Sequence, residues 1–188
     1  MFRLKRVTIT IISAIPTAAT VIQNRRSFLC TSAKRHFERR LMNYSCDELF
    51  SVVSNVAEYD QFVPWCKKSH VTRTDNNTGK LEAELCIGFG ILNEKYTSHV
   101  AMVKPTTIIA TSHQSNVFEY LKTEWKFAPS KNDPSKSWVT FQLDFKFRSE
   151  LYSRICEVFM QDVVTKMVRA FEDRCFTVYN SKNQPRHQ

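Results

Sequence analysis

The chain has 188 residues, enough for one domain with a hydrophobic core and a tail but too few for two ordinary domains. Its three glycines and six prolines exclude long low-complexity linkers, while its net charge of +9 suggests nucleic-acid binding until the distribution of charge is considered. Residues 1–35 hold seven of the 27 basic residues and no Asp or Glu, so residues 36–188 have a net charge of only +2, which argues against a basic nucleic-acid surface.

Residues 1–35 are typical of a mitochondrial transit peptide, because they are basic, rich in hydroxyl side chains and free of acidic ones. A secretory signal is the alternative, since Val7–Ile22 is mostly apolar, but basic residues continue well past that stretch. The run Arg26–Thr31 also resembles a two-step matrix processing site, after which the octapeptide Phe28–Arg35 is removed. We therefore expect a mature chain that begins near His36. The apolar stretch is too short for a membrane span, which needs about 20 residues.

The first predicted elements are a strand and two short helices. The strand covers Phe37–Tyr44. Ser45 and Glu48 have the spacing of a capping box and open a helix that continues to about Ser54. A second short helix covers Val56–Phe62 and is stopped by the proline that follows.

Six further strands are predicted by alternating or β-branched patterns bounded by turns. Consecutive strands with short connections favour an antiparallel meander that has one covered and one solvated face. The strands are Trp65–Arg73, Lys80–Phe89, Leu92–Val103, Thr106–His113, Val117–Phe127 and Val139–Phe147.

The run Ser149–Tyr179 is predicted to be one long amphipathic helix, because apolar residues recur at every fourth position in two adjacent rows. A row with this spacing drifts by about 40° per step, so we expect the apolar stripe to wind and a twisted sheet to follow it. The part Leu151–Phe159 is then expected to close the sheet. The part Phe159–Val168 is expected to form the wall of a cavity between helix and sheet.

The sequence contains no motif for a catalytic cofactor or a metal. The six cysteines form no Cys-x-x-Cys pair, the five histidines lack helical metal spacing, and the glycines form no phosphate-binding loop. The remaining catalytic possibility is a carboxylate inside the cavity, such as Glu94 or Glu119, although polar strand residues are mainly exposed. Aromatic residues are abundant and have Met residues near them, but the composition alone does not separate a core from the wall of a pocket for an isoprenoid-like ligand.

Two segments near the start of the predicted domain, Tyr44–Val53 and Val56–Cys66, closely resemble the start of the mitochondrial coenzyme Q-binding proteins. Those proteins belong to the START-like, helix-grip superfamily, which also contains bacterial polyketide-cyclase-like and ribosome-associated toxin proteins. The resemblance covers about residues 36–177 and departs at Gly90-Ile91, where the family usually carries prolines. Further matching segments are Glu94–Ser98, Met102–Pro105, Leu121–Trp125, Asp144–Ser149 and Ala170–Glu172.

The resemblance implies an α+β helix-grip fold, in which a curved antiparallel sheet of about six or seven strands wraps around the long C-terminal helix. Together with the composition of the first 35 residues, it divides the chain into a transit peptide, 1–35, a lipid-binding domain, 36–180, and a polar tail, 181–188. It further implies a non-enzymatic protein that binds ubiquinone in a hydrophobic tunnel and serves the respiratory chain as a lipid chaperone or carrier. No catalytic cofactor and no nucleic acid are expected.

The expected location is the matrix side of the mitochondrial inner membrane, with peripheral membrane contact and possible contact with respiratory or quinone-biosynthesis complexes. Two alternatives remain open: a cyclase or aromatase-like enzyme on the same fold, and a ribosome-associated regulator. The residues expected to line or gate the tunnel are apolar or aromatic. They are Phe50, Tyr59, Phe62, Trp65, Tyr96, Leu121, Trp125, Phe141, Phe145, Phe159, Val163 and Met167.

Overall fold

The structure, a computed structural model, describes residues 33–89, 92–113, 115–151, 153 and 160–180. Its helical elements are α1, α2 and α3, with a 3-10 turn before α2 and a π-helical turn after α3. These are α1 Cys46–Ser54, the 3-10 turn Val56–Glu58, α2 Tyr59–Phe62, α3 Met160–Cys175 and the π-helical turn Phe176–Asn180.

Seven strands form one antiparallel sheet in the order β1-β7-β6-β5-β4-β3-β2. The last strand therefore pairs with the first, which leaves β1 and β2 at the two edges. This confirms the predicted meander, and β3 and β4 have the predicted bounds. The strands are β1 Lys34–Met42, β2 Cys66–Asp75, β3 Lys80–Phe89, β4 Leu92–Val103, β5 Thr107–Ser112, β6 Phe118–Pro129 and β7 Ser137–Phe147.

The helical connection from β1 to β2 begins at a local sequence signal. The Ser45 side chain accepts a hydrogen bond from the Glu48 backbone N–H at 3.3 Å, and the Glu48 carboxylate accepts one from the Ser45 backbone N–H at 2.8 Å. This is the predicted capping box, which satisfies two N–H groups that the first turn of α1 leaves unpaired. The helix then buries Leu49, Phe50 and Val53 in the core.

α3 crosses one face of the sheet and is held there by three polar contacts to neighbouring elements. Arg40 of β1 bonds Glu172 at 2.9 Å, and Arg174 bonds Glu58 of the 3-10 turn at 2.6 Å. The His36 ring lies 3.2 Å from the Gln161 side-chain oxygen. We call the face under α3 the covered face and the opposite one the open face. Register shifts bend β2 and β6 and help the sheet to curve around the helix.

The buried side of α3 differs from the predicted winding stripe. Its buried residues are Met160, Val164 and Val168 from one row, followed by Phe171 and Cys175 from the adjacent row. Each step of four advances the face by about 40°, but the step of three from Val168 to Phe171 turns it back by about 60°. The buried face therefore stays on one side of the helix, and the prediction that it winds along the element was wrong for α3.

The beginning of the predicted C-terminal helix differs in a second respect. Residues 150, 151 and 153 are helical, but the side chain of Leu151 is 63% exposed. Leu151 therefore does not help to close the sheet as expected, since the buried face of the described helix begins only at Met160. The rest of that expectation falls on residues 152 and 154–159, which lie outside the described residues. Within the described chain, no helix combines the length and the apolar character that a membrane crossing requires.

Candidate functional site

Two adjoining cavities lie between the covered face of the sheet, the connection from α2 to β2, and α3. We call the first, of about 110 Å³, the hydroxyl lobe because its wall includes Ser98 and Ser112. We call the second, of about 130 Å³, the apolar lobe because its wall includes Met160 and Val163 and few polar atoms. Both lobes are bordered by the same seven residues, so they form one continuous site: Pro64, Ile87, Tyr96, Leu121, Thr123, Phe141 and Met167.

The structure brings most of the predicted tunnel residues together at this site. Of the twelve, those that line one or both lobes are Tyr59, Trp65, Tyr96, Leu121, Trp125, Phe141, Val163 and Met167. They come from α2, from the residues before β2, from β4, β6 and β7, and from α3. Helix and sheet therefore contribute opposite walls, as the helix-grip arrangement requires.

Three of the predicted tunnel residues do not line either lobe: Phe50 and Phe145 lie in the core, and Phe62 is half-buried against it. Phe50 of α1 makes an edge-to-face contact with Phe127. Phe145 is 1% exposed and contacts the rings of Phe118 and Phe147. The Phe62 ring packs edge to face on the rings of Tyr59 and Phe171, and the Arg174 guanidinium lies 5.3 Å from its centroid. Their rings are taken up by other side chains, and this is the physical reason that they are not available to a ligand. Phe159 lies outside the described residues.

The wall also contains hydroxyl groups that were not predicted. Thr123 joins Ser98 and Ser112 around the hydroxyl lobe; Thr111 also borders it, but its hydroxyl donates to the His99 carbonyl at 3.4 Å. The prediction placed polar strand residues on the open face. In β4 this was misleading, because consecutive polar residues hide the alternation between apolar and polar positions. Counting back by two from the buried Val100 reaches Ser98 and then Tyr96, so strand parity contains the signal.

The hydroxyls of the hydroxyl lobe differ in whether they already have partners. The Tyr59 hydroxyl donates to the Val53 carbonyl at 2.5 Å, which fixes the ring against α1. Ser112 is 1% exposed, and its Oγ is a buried side-chain oxygen for which the described part of the chain offers no hydrogen-bond partner. A buried polar group without a partner is uncommon in folded proteins and is frequently found where a ligand or water binds.

The site carries no formal charge at neutral pH within the residues that the structure describes. The walls of both lobes contain no Asp, Glu, His, Lys or Arg among those residues. The titratable groups in the wall are Tyr59, Tyr96 and Cys66. Burial raises the pKa of both tyrosines and raises the pKa of Cys66 to about 11, so all three stay protonated. The site therefore suits a neutral ligand.

The two carboxylates considered as catalytic bases have other roles. Glu94 is buried, but its carboxylate accepts hydrogen bonds from the Ser115 hydroxyl at 2.9 Å and the Asn116 backbone N–H at 2.7 Å. It therefore orders the residues before β6. Glu119 is exposed and pairs with Lys146 at 2.7 Å. Neither carboxylate lines the lobes, and the described residues contain no group of side chains suited to hold a metal ion.

Trp65 borders the apolar lobe and has a strained backbone. Its φ of 62° lies in the left-handed region, which bulky residues rarely adopt. The Trp65 carbonyl accepts a hydrogen bond from the Gly88 backbone N–H at 2.9 Å, and Lys166 of α3 lies 6.0 Å from the ring centroid. Contacts from β3 and from α3 therefore hold Trp65 in this conformation.

Residues 42–172 match the family model described as polyketide cyclase / dehydrase and lipid transport. The chain is 36% identical over 135 residues to the Drosophila melanogaster protein named "Coenzyme Q-binding protein COQ10, mitochondrial", covering 71% of this chain and 55% of the relative. It is 34% identical over 149 residues to the Schizosaccharomyces pombe protein of that name, covering 77% and 90%. A more distant relative is the ribosome association toxin RatA of Rickettsia prowazekii, at 30% identity over 138 residues, covering 72% of this chain and 91% of the relative.

Solved structures share the fold. An 18 kDa protein of Caulobacter crescentus has 27% identity and a TM-score of 0.64 over 78% of this chain and 99% of its own. The Zhui aromatase/cyclase of a Streptomyces species has a TM-score of 0.69 over 80% and 98%, and at 12% identity it bears on the fold alone. The fold is the START-like helix-grip fold, and the chain belongs to the polyketide cyclase / dehydrase and lipid transport family, in the group of the mitochondrial coenzyme Q-binding proteins.

Proposed function

We propose that this protein binds ubiquinone in the cavity between α3 and the sheet, without converting it, and serves the respiratory chain as a lipid chaperone or carrier. The observation that carries the proposal is an uncharged, mainly apolar cavity into which a few hydroxyl groups converge. Pockets of this composition bind apolar ligands and use the few polar groups to orient them. The names of the relatives supply the particular ligand.

The chemistry of ubiquinone matches the two lobes. The molecule is neutral, its ring oxygens accept hydrogen bonds, and its isoprenoid tail is entirely apolar. Each buried CH₂ contributes about 0.8 kcal/mol, so a short part of the tail provides useful affinity. The flexible side chains of Met160 and Met167 line the apolar lobe and are suited to an irregular branched tail.

Two other functions are less well supported. A cyclase or aromatase needs an acid or base that reaches the substrate, and the described walls offer only protonated Tyr and Cys side chains together with Ser and Thr. A ribosome-associated regulator would have a relative in RatA, but it would need a basic surface, and residues 36–188 have a net charge of only +2.

The proposed location is the matrix side of the mitochondrial inner membrane. Residues 1–35 are the proposed transit peptide, 36–180 the lipid-binding domain and 181–188 a polar tail; residues 1–32 and 181–188 lie outside the described residues. Strand β1 begins at Lys34, so a cut before His36 would remove the first two residues of the strand. One of them is Arg35, which pairs with Asp144. Experiments on the mature protein should therefore compare a chain that begins at Lys34 with one that begins at His36.

Peripheral membrane contact belongs to the same proposal, because the ligand resides in a bilayer. We define the open-face patch as Phe37, Leu41 and Trp138, which are exposed, together with Arg39 and Lys126. Strand register places Arg39 and Lys126 on either side of Thr140 and places Leu41 beside Trp138, and the Arg39 guanidinium lies 4.3 Å from the Trp138 ring centroid. Aromatic rings beside cations are suited to an anionic lipid surface. Contact with respiratory or quinone-biosynthesis complexes remains part of the proposal.

The test is the lipid content of the purified chain that begins at Lys34. We expect mass spectrometry of an organic extract to find ubiquinone bound to the protein, and the emptied protein to take up ubiquinone from vesicles. The bound quinone should be recovered chemically unchanged after incubation. A protein that carries no quinone and takes none up would contradict the proposal. Recovery of a chemically altered quinone would contradict the part of the proposal that excludes conversion.

A further inference from the structure

We propose that Ser98, Ser112 and Tyr96 form the subsite for the quinone ring, and that the isoprenoid tail extends from it through the apolar lobe. This inference rests on the proposed function and adds the orientation of the ligand. It assigns hydrogen bonds to the ring oxygens from hydroxyl groups on β4 and β5. It also assigns the tail to the half of the cavity beside Met160 and Val163.

The strand register brings the three side chains to one place on the covered face. His99 of β4 pairs with Thr111 of β5, so the next pair of positions along the two strands is Ser98 and Ser112. Tyr96 lies two residues from Ser98 on β4 and therefore points to the same face. All three residues border the hydroxyl lobe. Side chains at adjacent cross-strand positions are close enough to contact one ligand group.

Ser112 provides the second and independent observation. It is 1% exposed, it borders the lobe, and its Oγ lacks a partner among the described residues. A hydroxyl in this position is destabilising in the empty protein and becomes satisfied when an acceptor enters the lobe. The carbonyl and methoxy oxygens of a ubiquinone ring are acceptors. An aliphatic ligand would leave the Ser112 hydroxyl unpaired.

The two tyrosines near the lobe have different roles. Tyr59 already donates its hydroxyl hydrogen to the Val53 carbonyl, so it supports the wall. Tyr96 borders both lobes, and burial raises the pKa of its phenol, which keeps the hydroxyl protonated and able to donate. Tyr96 is therefore the donor at the junction, where the ring and the first part of the tail would meet.

The direction of the tail follows from the difference between the lobes. Beyond the shared residues, the apolar lobe is bordered by Trp65, Phe118, Leu143, Phe147, Met160 and Val163. None of these carries a hydroxyl group. A ring held at Ser112 leaves the tail this half of the cavity, where burial of CH₂ groups is favourable and where the described residues place hydroxyl groups, those of Tyr96 and Thr123, at the junction with the hydroxyl lobe.

The ring subsite is tested by comparing a quinone with a ligand that has no ring oxygens. Ser112→Ala and Ser98→Ala are each expected to weaken binding of a short-tailed ubiquinone by about fivefold, the value of one neutral hydrogen bond. Binding of squalene, an isoprenoid hydrocarbon, should not change. Ser137→Ala is the matched control, because Ser137 is fully buried in β7 and outside both lobes. It should change neither affinity.

A spectroscopic measurement separates a ring contact from a general packing defect. Infrared spectra of carbonyl-labelled ubiquinone should show a lowered carbonyl frequency in the wild-type complex and a return toward the free value in Ser112→Ala. Unchanged spectra and affinities in both serine variants would overturn the ring subsite while leaving quinone binding intact. Parallel losses of quinone and squalene binding would also overturn it. A wild-type protein that binds no quinone would instead contradict the proposed function.

The tail direction has its own test. Val163→Trp fills part of the apolar lobe and is expected to weaken a long-tailed ubiquinone at least tenfold, while the tailless dimethoxy benzoquinone ring is unaffected. Leu85→Trp, on the β3 wall of the hydroxyl lobe, should weaken both ligands. If Val163→Trp weakens the tailless ring and spares the long tail, the orientation is reversed and the proposal fails.

Discussion

The Arg35 side chain donates a hydrogen bond of 2.6 Å from its Nε to Oδ1 of Asp144, and the two residues are directly paired across β1 and β7. The contact joins the start of the domain to its last strand and helps to hold the edge strand β1 against β7. Asp144 also accepts a hydrogen bond of 2.7 Å from Gln142. Both contacts involve a carboxylate that is largely buried.

The first prediction concerns the pH dependence of this pair. Burial alone would raise the pKa of Asp144, but the hydrogen bonds from Arg35 and Gln142 outweigh it and hold the pKa below its usual value. A depressed folded-state pKa stabilises the protein above the unfolded pKa of about 4, and this stabilisation is lost as the pH falls through the folded value. We expect Arg35→Gln to lower the melting temperature at pH 7 and to have a progressively smaller effect as the pH falls below about 4.

Lys95→Gln is the matched control, because Lys95 pairs with Glu84 on the same kind of strand surface but both side chains are well exposed. Its effect at pH 7 should be smaller than that of Arg35→Gln. Thermal unfolding monitored by circular dichroism across this pH range measures both variants. The same experiment on chains that begin at Lys34 and at His36 shows what removal of Arg35 costs the mature protein. An equal loss for Arg35→Gln at every pH would contradict the assignment.

The second prediction concerns the aromatic cluster under α3. Phe171 is 2% exposed, and its ring lies 4.8 Å from Trp125, 5.1 Å from Phe62 and 5.3 Å from Tyr59, all edge to face. Phe171→Ala should lower the free energy of unfolding by about 3–5 kcal/mol, because it removes buried ring contacts and leaves a cavity. Phe176→Ala, which truncates an exposed ring, should change it by less than about 0.5 kcal/mol. Urea unfolding measures both, and similar losses would contradict the packing.

The elements were predictable where the signal is local. The capping box at Ser45 and Glu48 specifies the start of α1 without help from the rest of the chain. The start of β3 follows from its alternation and from the turn that contains Gly79, whose φ of 63° only glycine adopts easily, whereas the end of β4 follows from the proline at position 105. The long helix was predictable from its apolar spacing. Which row of that spacing is buried was not, because the partner surface decides it.

The site was less predictable, because core and cavity walls have the same composition. Phe141 lines both lobes. Phe145 lies four residues further along the same face of β7, but other rings enclose it. No property of either residue in the sequence separates them; the separation depends on where α3 leaves a gap. Ser98 and Ser112 were missed for a different reason, since a polar residue on a strand normally faces solvent. Parity with the buried Val100 indicates the face of Ser98, but that Ser98 and Ser112 lie side by side follows only from the register of β4 and β5.

The third prediction separates structural from catalytic carboxylates. Glu94 satisfies Ser115 and the Asn116 backbone, so Glu94→Ala should destabilise the protein by about 1–3 kcal/mol by leaving those donors unpaired. Once folded at low temperature, the variant should retain quinone in the wild-type ratio. Glu119→Ala is the control, because its exposed pair with Lys146 should contribute less than about 1 kcal/mol. Loss of quinone from a folded Glu94 variant would show that this carboxylate reaches the ligand.

The fourth prediction concerns the open-face patch and the membrane. Replacing Phe37 and Trp138 together by Ser removes two exposed rings without touching the cavity. We expect the double variant to bind anionic vesicles about thirtyfold more weakly, because it loses two partly inserted rings that each contribute on the order of 1 kcal/mol. Arg39→Gln should weaken binding further at low salt, and the difference should disappear as salt screens the lipid charge.

Val103→Ser is the matched control, since Val103 is 64% exposed at the end of β4 and outside the patch. Vesicle co-sedimentation measures all variants, with retained ubiquinone as the check that the cavity is intact. Equal binding of the double variant and the wild type would remove the patch as the membrane contact, and equal weakening by Val103→Ser would show that exposed apolar side chains act without regard to position.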